Sequence, residues 1–269
     1  MEKQGAKRPR SEKNKRLKKE SAVMEEVLVN KFTTEAGGVW AEVVLNRPER
    51  KNAITGPLGI GLAKTINALN VDEQVQAIML RGEGGAFCSG LDLGAFNVTP
   101  EPEWIADFQT IWRGAHKALF QCDKPIVGAM QRYAINGGAA LALACDYLIV
   151  GEQSFVQVGE VQIGMAAPYN LAWLNLRHSE AVIAEVVLLG DRLKGADMLR
   201  LGLANQSVDD DQVLQTAVGI CERFADFPVG APAKIKRGLR ARLGQTADQW
   251  FDLHTVASAG ARVKPKSMR

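Results

Sequence analysis

Two short stretches of this 269-residue chain are built from small residues and could bring backbone amides to a ligand: Ala86-Phe87-Cys88-Ser89-Gly90-Leu91-Asp92 and Tyr133-Ala134-Ile135-Asn136-Gly137-Gly138-Ala139-Ala140-Leu141. Each follows a strand-like run and precedes a helical one. Glycine lets the backbone approach a ligand closely, and a helix N-terminus offers N–H groups with no intrahelical acceptor. Two such amides aimed at one oxygen make an oxyanion hole. Other nucleotide and acyl-transfer motifs do not fit. No GxGxxG follows a first strand, no GxSxG elbow is present, and the phosphate-loop spacing of Gly190 and Gly195 is followed by Ala196 where lysine is required. Four cysteines (Cys88, Cys122, Cys145, Cys221) and three histidines (His116, His178, His254) are scattered without ligand spacing. Neither a metal site nor a disulfide framework is expected.

Alternating elements must hold those stretches. Strands are expected at 27–32 and 39–45, joined by a turn at Gly37-Gly38, and at 75–80, 126–130, 147–150 and 154–158. Apolar residues at 58, 62, 66 and 69 have helical spacing. Helices are also expected at 104–120 and at 139–145, the latter apolar all round and therefore buried. Beyond 168 the pattern reads as helix upon helix: 180–189 capped by Ser179, 194–201, 212–227 after three aspartates, and a last helix opened by the capping box Thr246-Ala247-Asp248-Gln249. The fold class is α/β with a helical C-terminal region.

The net charge of +3 divides unevenly along the chain. Residues 1–20 carry nine basic and three acidic side chains, so this segment is +6 and the remainder is −3. Residues 1–23 lack apolar content and are expected to be a disordered basic tail, with 24–208 as the core and 209–269 as the helical region. The tail has no interleaved aromatics for base stacking, so a nucleic-acid partner is not expected. No apolar run reaches the roughly 18 residues of a membrane span, the best being broken by Asp146. Reduced thiols and the lack of a signal pattern place the chain in the cytoplasm, with an organelle matrix as the alternative.

Taken with Leu45-Asn46-Arg47-Pro48, Asn52-Ala53, Lys124-Pro125-Ile126-Val127-Gly128, Cys145-Asp146 and Gly159-Glu160-Val161-Gln162-Ile163-Gly164, the two glycine stretches resemble the crotonase (enoyl-CoA hydratase/isomerase) superfamily over about 26–227. The resemblance implies a ββα spiral core, a homotrimer or a hexamer of paired trimers, and an acyl-coenzyme A thioester as ligand, with no cofactor besides the coenzyme A of the substrate. Carried over by position, it implies oxyanion donors at the amides of Ser89 and Gly137, and Glu160 as catalytic acid/base. Lys51, Asn52, Ala53, Phe87, Gly90, Asp92, Gly138 and Tyr169 fall in segments that line the substrate path.

The chain departs from the hydratase pattern at one position. Two glutamates serve hydration in that family, and the first falls three residues after the oxyanion glycine, where this chain has Ala140. A single acid at Glu160 is the pattern of the family's enoyl-CoA isomerases, in which one base moves a proton without activating water. Isomerisation is therefore ranked slightly above hydration. A decarboxylase or other lyase acting through the same enolate, and a non-catalytic acyl-CoA- or RNA-binding relative, are the alternatives. Tyr169 and Asn170 offer substitute polar groups.

Overall fold

The computed structural model describes residues 25–257; the basic segment at 1–23 lies outside them. The chain opens with an antiparallel pair, β1 (Val27–Thr33) and β2 (Val39–Leu45). Gly37, at φ +89°, makes the turn between them, a backbone conformation that glycine adopts without steric cost. There follow α1 (Gly56–Val71), β3 (Val75–Gly82), α2 (Leu93–Phe96), α3 (Phe108–Gln121), β4 (Ile126–Met130), β5 (Tyr133–Ile135) and α4 (Gly137–Ala144). Next come β6 (Tyr147–Gly151), β7 (Phe155–Gln157), α5 (Pro168–Asn175), α6 (Glu180–Val187), β8 (Arg192–Lys194), α7 (Gly195–Arg200) and β9 (Gln206–Val208). Helices α8 (Val213–Ala225), α9 (Ala231–Ala241) and α10 (Ala247–Ala257) complete the described chain.

Six strands form one sheet in the order β1-β2-β3-β4-β6-β9, parallel from β2 onward, and β5-β7-β8 form a second. Strand β4 enters the first sheet, β5 the second, and α4 follows; β6, β7 and α5 repeat the step. This is a ββα spiral, and each turn leaves a strand end and a helix start side by side.

Burial explains the pattern. Ile78 and Leu80 of β3 face the main core with α1, while Ala77 and Met79 face α8, so the strand is apolar on both sides and reads as a continuous run. Helix α1 is capped by Thr55, whose hydroxyl accepts from the Leu58 amide at 3.2 Å, and it buries Leu58, Leu62, Ile66 and Leu69. Helix α4 is buried on every side from Gly138 to Ala144, as its composition requires. The capping box at α10 is present: Thr246 and Gln249 exchange side-chain-to-backbone hydrogen bonds at 2.9 and 3.2 Å.

Four expectations are corrected. The C-terminal region is not helix upon helix, because the three-residue strands β8 and β9 interrupt it and complete the two sheets. Ser179 occupies the N-cap of α6 but its hydroxyl makes no capping hydrogen bond. Residues 103–105 form a separate 3₁₀ turn before α3. The aspartates before α8 serve a loop rather than the helix end alone, with Asp210 accepting from the Gln153 amide at 3.1 Å and the Ser154 hydroxyl at 3.0 Å.

Candidate active site

The two glycine stretches meet. Strand β5 runs beside the first: Cys88 pairs with Ala134, and the Ile135 amide donates to the Cys88 carbonyl at 3.1 Å. Gly138, in the first turn of α4, lies so close that a Cβ there would sit 2.4 Å from the Cys88 carbonyl oxygen. Glycine is thus required by packing at Gly138, while Gly137 supplies the first amide of the helix, which has no acceptor within it. Gly90 has φ +90°, and a Cβ on it would lie 3.0 Å from the Ile135 carbonyl.

The first loop is fixed from beneath by buried polar groups. Asn52 is fully buried; its amide donates to the Glu83 and Ala86 carbonyls at 2.9 and 2.7 Å, and its oxygen accepts from the Arg47 amide at 2.9 Å. Asp92 is buried, caps α2 through the Ala95 amide at 3.1 Å, and pairs with Arg50 at 2.7 Å and Arg47 at 2.9 Å. The hydrogen bond from Arg50 leads in holding its carboxyl far below the usual carboxylate range. Phe87 is fully buried in the core and Ala53 is nearly so. The side chains of Asn52, Phe87 and Asp92 therefore shape the loop from below. Lys51 is exposed, and its carbonyl accepts from the Ser89 amide at 3.1 Å. Lys51 and Asn52 both have φ +54°, a conformation that non-glycine residues rarely adopt.

Glu160 opens the turn after β7 and Gly159. Its side chain is 8% exposed, and burial raises its pKa from 4.5 to about 7. One carboxyl oxygen accepts from the Asn170 amide at 2.9 Å, and the other, Oε2, is buried with no partner among the described residues. The same Asn170 amide donates to the Asn136 carbonyl at 3.1 Å, and the Asn136 side chain accepts from the Gly159 amide at 2.8 Å. Asn136 itself sits at φ +51° in the N-cap position of α4, without a side-chain capping hydrogen bond, directly before Gly137. One side-chain amide thus separates Glu160 from the peptide that presents Gly137. Ala140 is fully buried one turn into the helix, so no acid stands at the first of the two glutamate positions.

A wall of rings borders this group. A Cβ on Gly137 would lie 3.6 Å from Cζ2 of Trp112, and Trp112 packs edge-on to His116 at 4.6 Å between centroids. Tyr169 stacks on His116 at 4.4 Å, with an interplanar angle of 15°, and Phe251 of α10 lies 5.9 Å from Tyr169. His116 is fully buried, its pKa pushed down to about 3 by that burial, and its Nδ1 accepts from the Trp173 indole at 2.9 Å. It is a neutral ring of the wall. Burial also raises the Tyr169 phenol to about 12. Sequence reasoning named Asn170 as a substitute polar group but did not single out His116 as a site member. The signal for Asn170 was its place in the segment after Glu160, while His116 sits on an otherwise ordinary amphipathic helix.

Residues 35–257 match the enoyl-CoA hydratase/isomerase family, and the chain belongs to that family, within the crotonase superfamily. It is similar to the Arabidopsis thaliana protein named probable enoyl-CoA hydratase 1, peroxisomal, at 31% identity over 78% of this chain and 79% of that one. It is similar to 1,2-epoxyphenylacetyl-CoA isomerase of Escherichia coli at 27% identity, over 78% and 82%. The crystal structure of an enoyl-CoA hydratase from Mycobacterium tuberculosis superposes with a TM-score of 0.69 at 29% identity, covering 86% of this chain and 88% of that one. Among the described residues no helix is long and apolar enough to cross a membrane, and no group of three His, Cys, Asp or Glu side chains is placed to hold a metal.

Proposed function

We propose that the chain is an acyl-CoA enzyme that shifts the double bond of an enoyl-CoA thioester through an enolate, with Glu160 as the one acid/base. The observation that carries this reading is the pairing of a lone, buried carboxyl of pKa about 7 with a fully buried alanine where a second acid would stand. In its ionised form Glu160 takes a proton from C2 of a 3-enoyl thioester, and the charge passes to the thioester oxygen. The amides of Ser89 and Gly137 receive that oxygen, Gly137 aided by the dipole of α4. The Ser89 amide, which donates to the Lys51 carbonyl at 3.1 Å, exchanges that acceptor for it. Glu160 then returns the proton at C4, giving the 2-enoyl product with no change in composition. Lys51 and Ala53, together with Gly90 and Gly138, line the pantetheine path, and the rings of Trp112 and Tyr169 suit an unsaturated or ring-bearing acyl group.

One observation favours hydration as a second reading: Oδ1 of Asn170 is buried without a partner beside Glu160 and could orient water. Panels of 2-enoyl- and 3-enoyl-CoA, followed for both water addition and double-bond movement, separate the two. Turnover of 3-enoyl substrates alone is expected; water addition to 2-enoyl substrates at a comparable rate would reverse the ranking. A homotrimer, or a pair of trimers, is proposed as the assembly. Leu188 and Leu189 stand exposed at the end of α6, apolar surface that an assembly would cover, and light scattering tests it.

A further inference from the structure

Asn136 holds a backbone conformation that belongs to glycine. Its φ is +51° and its ψ is −114°, a pair that residues with a side chain rarely adopt and that persists only where the surroundings enforce it. The chain nonetheless places asparagine there, between Ile135 of β5 and Gly137 of α4. The side chain does not cap α4, since it makes no hydrogen bond to the first turn. Its Oδ1 turns instead to the end of β7 and accepts from the Gly159 amide at 2.8 Å, one residue before Glu160. Glycine would fit the backbone but could not make that bond.

The main chain of the same residue completes a junction. Its N–H donates to the Gln157 carbonyl at 2.8 Å, and its carbonyl accepts from the Ala140 amide and from the Asn170 side chain, both at 3.1 Å. Strand β7, the Glu160 turn, α5 and α4 are therefore tied to one residue. Asn170 closes a ring, because the amide that donates to Asn136 donates also to Glu160 at 2.9 Å. On its other side the turn is pinned separately, with Gln157 and Gln162 donating to the Gly190 carbonyl at 3.0 and 2.8 Å. The peptide joining Asn136 to Gly137 carries the Gly137 N–H, and ψ of Asn136 sets its orientation. The Oδ1 bond to Gly159 sets where the Glu160 turn begins.

We propose that Asn136 is a positioning residue that fixes the Gly137 amide relative to Glu160, so that the oxyanion donor and the proton-transfer carboxyl meet one thioester in register. The inference rests on the roles assigned to those two groups in the proposed reaction. Were Asn136 free to rotate, the Gly137 N–H would turn from the thioester oxygen independently of the carboxyl at C2, and enolate formation would lose its preorganised donor. Burial leads in setting the Glu160 pKa, with its own backbone amide and Asn170 opposing, and no charged group among the described residues contributes. A charge introduced at 136 therefore has no competing charge to mask it.

Variants of the full-length protein test this. Asn136→Gly is expected to keep or raise Tm, because glycine adopts the backbone without steric cost. It should lower kcat by at least about 10-fold while KM stays within about twofold. With acetoacetyl-CoA as the probe, the share of bound ligand in the enolate form, read by its near-ultraviolet absorbance, should fall in that variant. The Kd of saturated butanoyl-CoA should not change. Asn136→Asp keeps an acceptor for the Gly159 amide and adds a negative charge, so the inflection in kcat/KM should move up by about one pH unit. Full kcat or a lowered Tm in Asn136→Gly, a matching loss of butanoyl-CoA affinity, or an inflection that stays in place in Asn136→Asp would each overturn the proposal. Glu160→Gln separates the failure of this role from failure of the acid/base assignment. Lost turnover there beside full kcat in Asn136→Gly defeats the Asn136 role alone, whereas unchanged turnover in Glu160→Gln defeats both.

Discussion

Asp92 and Glu160 are both buried carboxylates at the entrance of a short helical turn, and they have opposite fates. Asp92 meets two guanidinium groups and a backbone amide and is held ionised. Glu160 meets one neutral amide, keeps one oxygen without a partner, and is carried up to about 7. Both are shielded from water, but Glu160 lies deeper, so its burial and its lack of a charged partner act together. A paired carboxylate fixes a loop, whereas an underpaired one can exchange its proton near neutral pH. The first glycine loop is consequently a rigid frame, and the turn after β7 holds the carboxyl proposed as the acid/base.

Removing each acid should separate these roles most clearly. Glu160→Gln is expected to lower turnover at least about 100-fold while leaving acyl-CoA affinity nearly unchanged; isotherms and initial rates check it, and unchanged turnover would defeat the acid/base assignment. Asp92→Asn should instead destabilise the protein by about 2–4 kcal/mol, because it leaves Arg47 part-buried and short of a partner, measured as a shift in the urea midpoint. Turnover per folded molecule should survive that change.

The pH dependence of stability sharpens the comparison. The depressed pKa of Asp92 gives stability that is present above its unfolded value near 3.8 and lost as pH falls through that range. Glu160 has a raised pKa, so the folded state binds the extra proton between 4.5 and about 7 and loses stability as pH rises through that window. Glu160→Gln should therefore be more stable than the parent at pH 8, by about 2–3 kcal/mol, and no more stable at pH 4. The parent's kcat/KM should rise with pH through an inflection near 7, as the base ionises. Asn170→Leu gives the smallest effect: losing its hydrogen bond should move that inflection up by about one pH unit, and a profile that stays in place would remove Asn170 as a tuning group.

Much of this was legible in the residues. The strands at 39–45 and 126–130 and the buried α4 are marked by continuous apolar runs, and the Thr246 capping box marks the last helix. The strands β8 and β9 were not legible, because three residues carry no periodicity and gain strand character only from the sheet beside them. Helix α9 escaped for a different cause: its long cationic face hides a narrow apolar stripe. At the site, Glu160 and Gly137 stand in motifs, but the stacking of His116 on Tyr169 joins residues far apart in the chain and leaves no local pattern.

Helix α10 has a bearing on how the site comes into being. Arg113 and Lys117 of α3 pair with Asp248 and Asp252, Trp250 donates to the Ala172 carbonyl, and Phe251 closes the ring wall. During synthesis the frame, the glycine loops and Glu160 all emerge before this helix. A nascent chain that has folded its spiral still has an open aromatic floor, sealed only when α10 emerges and docks. The ring wall is thus completed by a helix from outside the spiral, after the elements that hold Gly137 and Glu160.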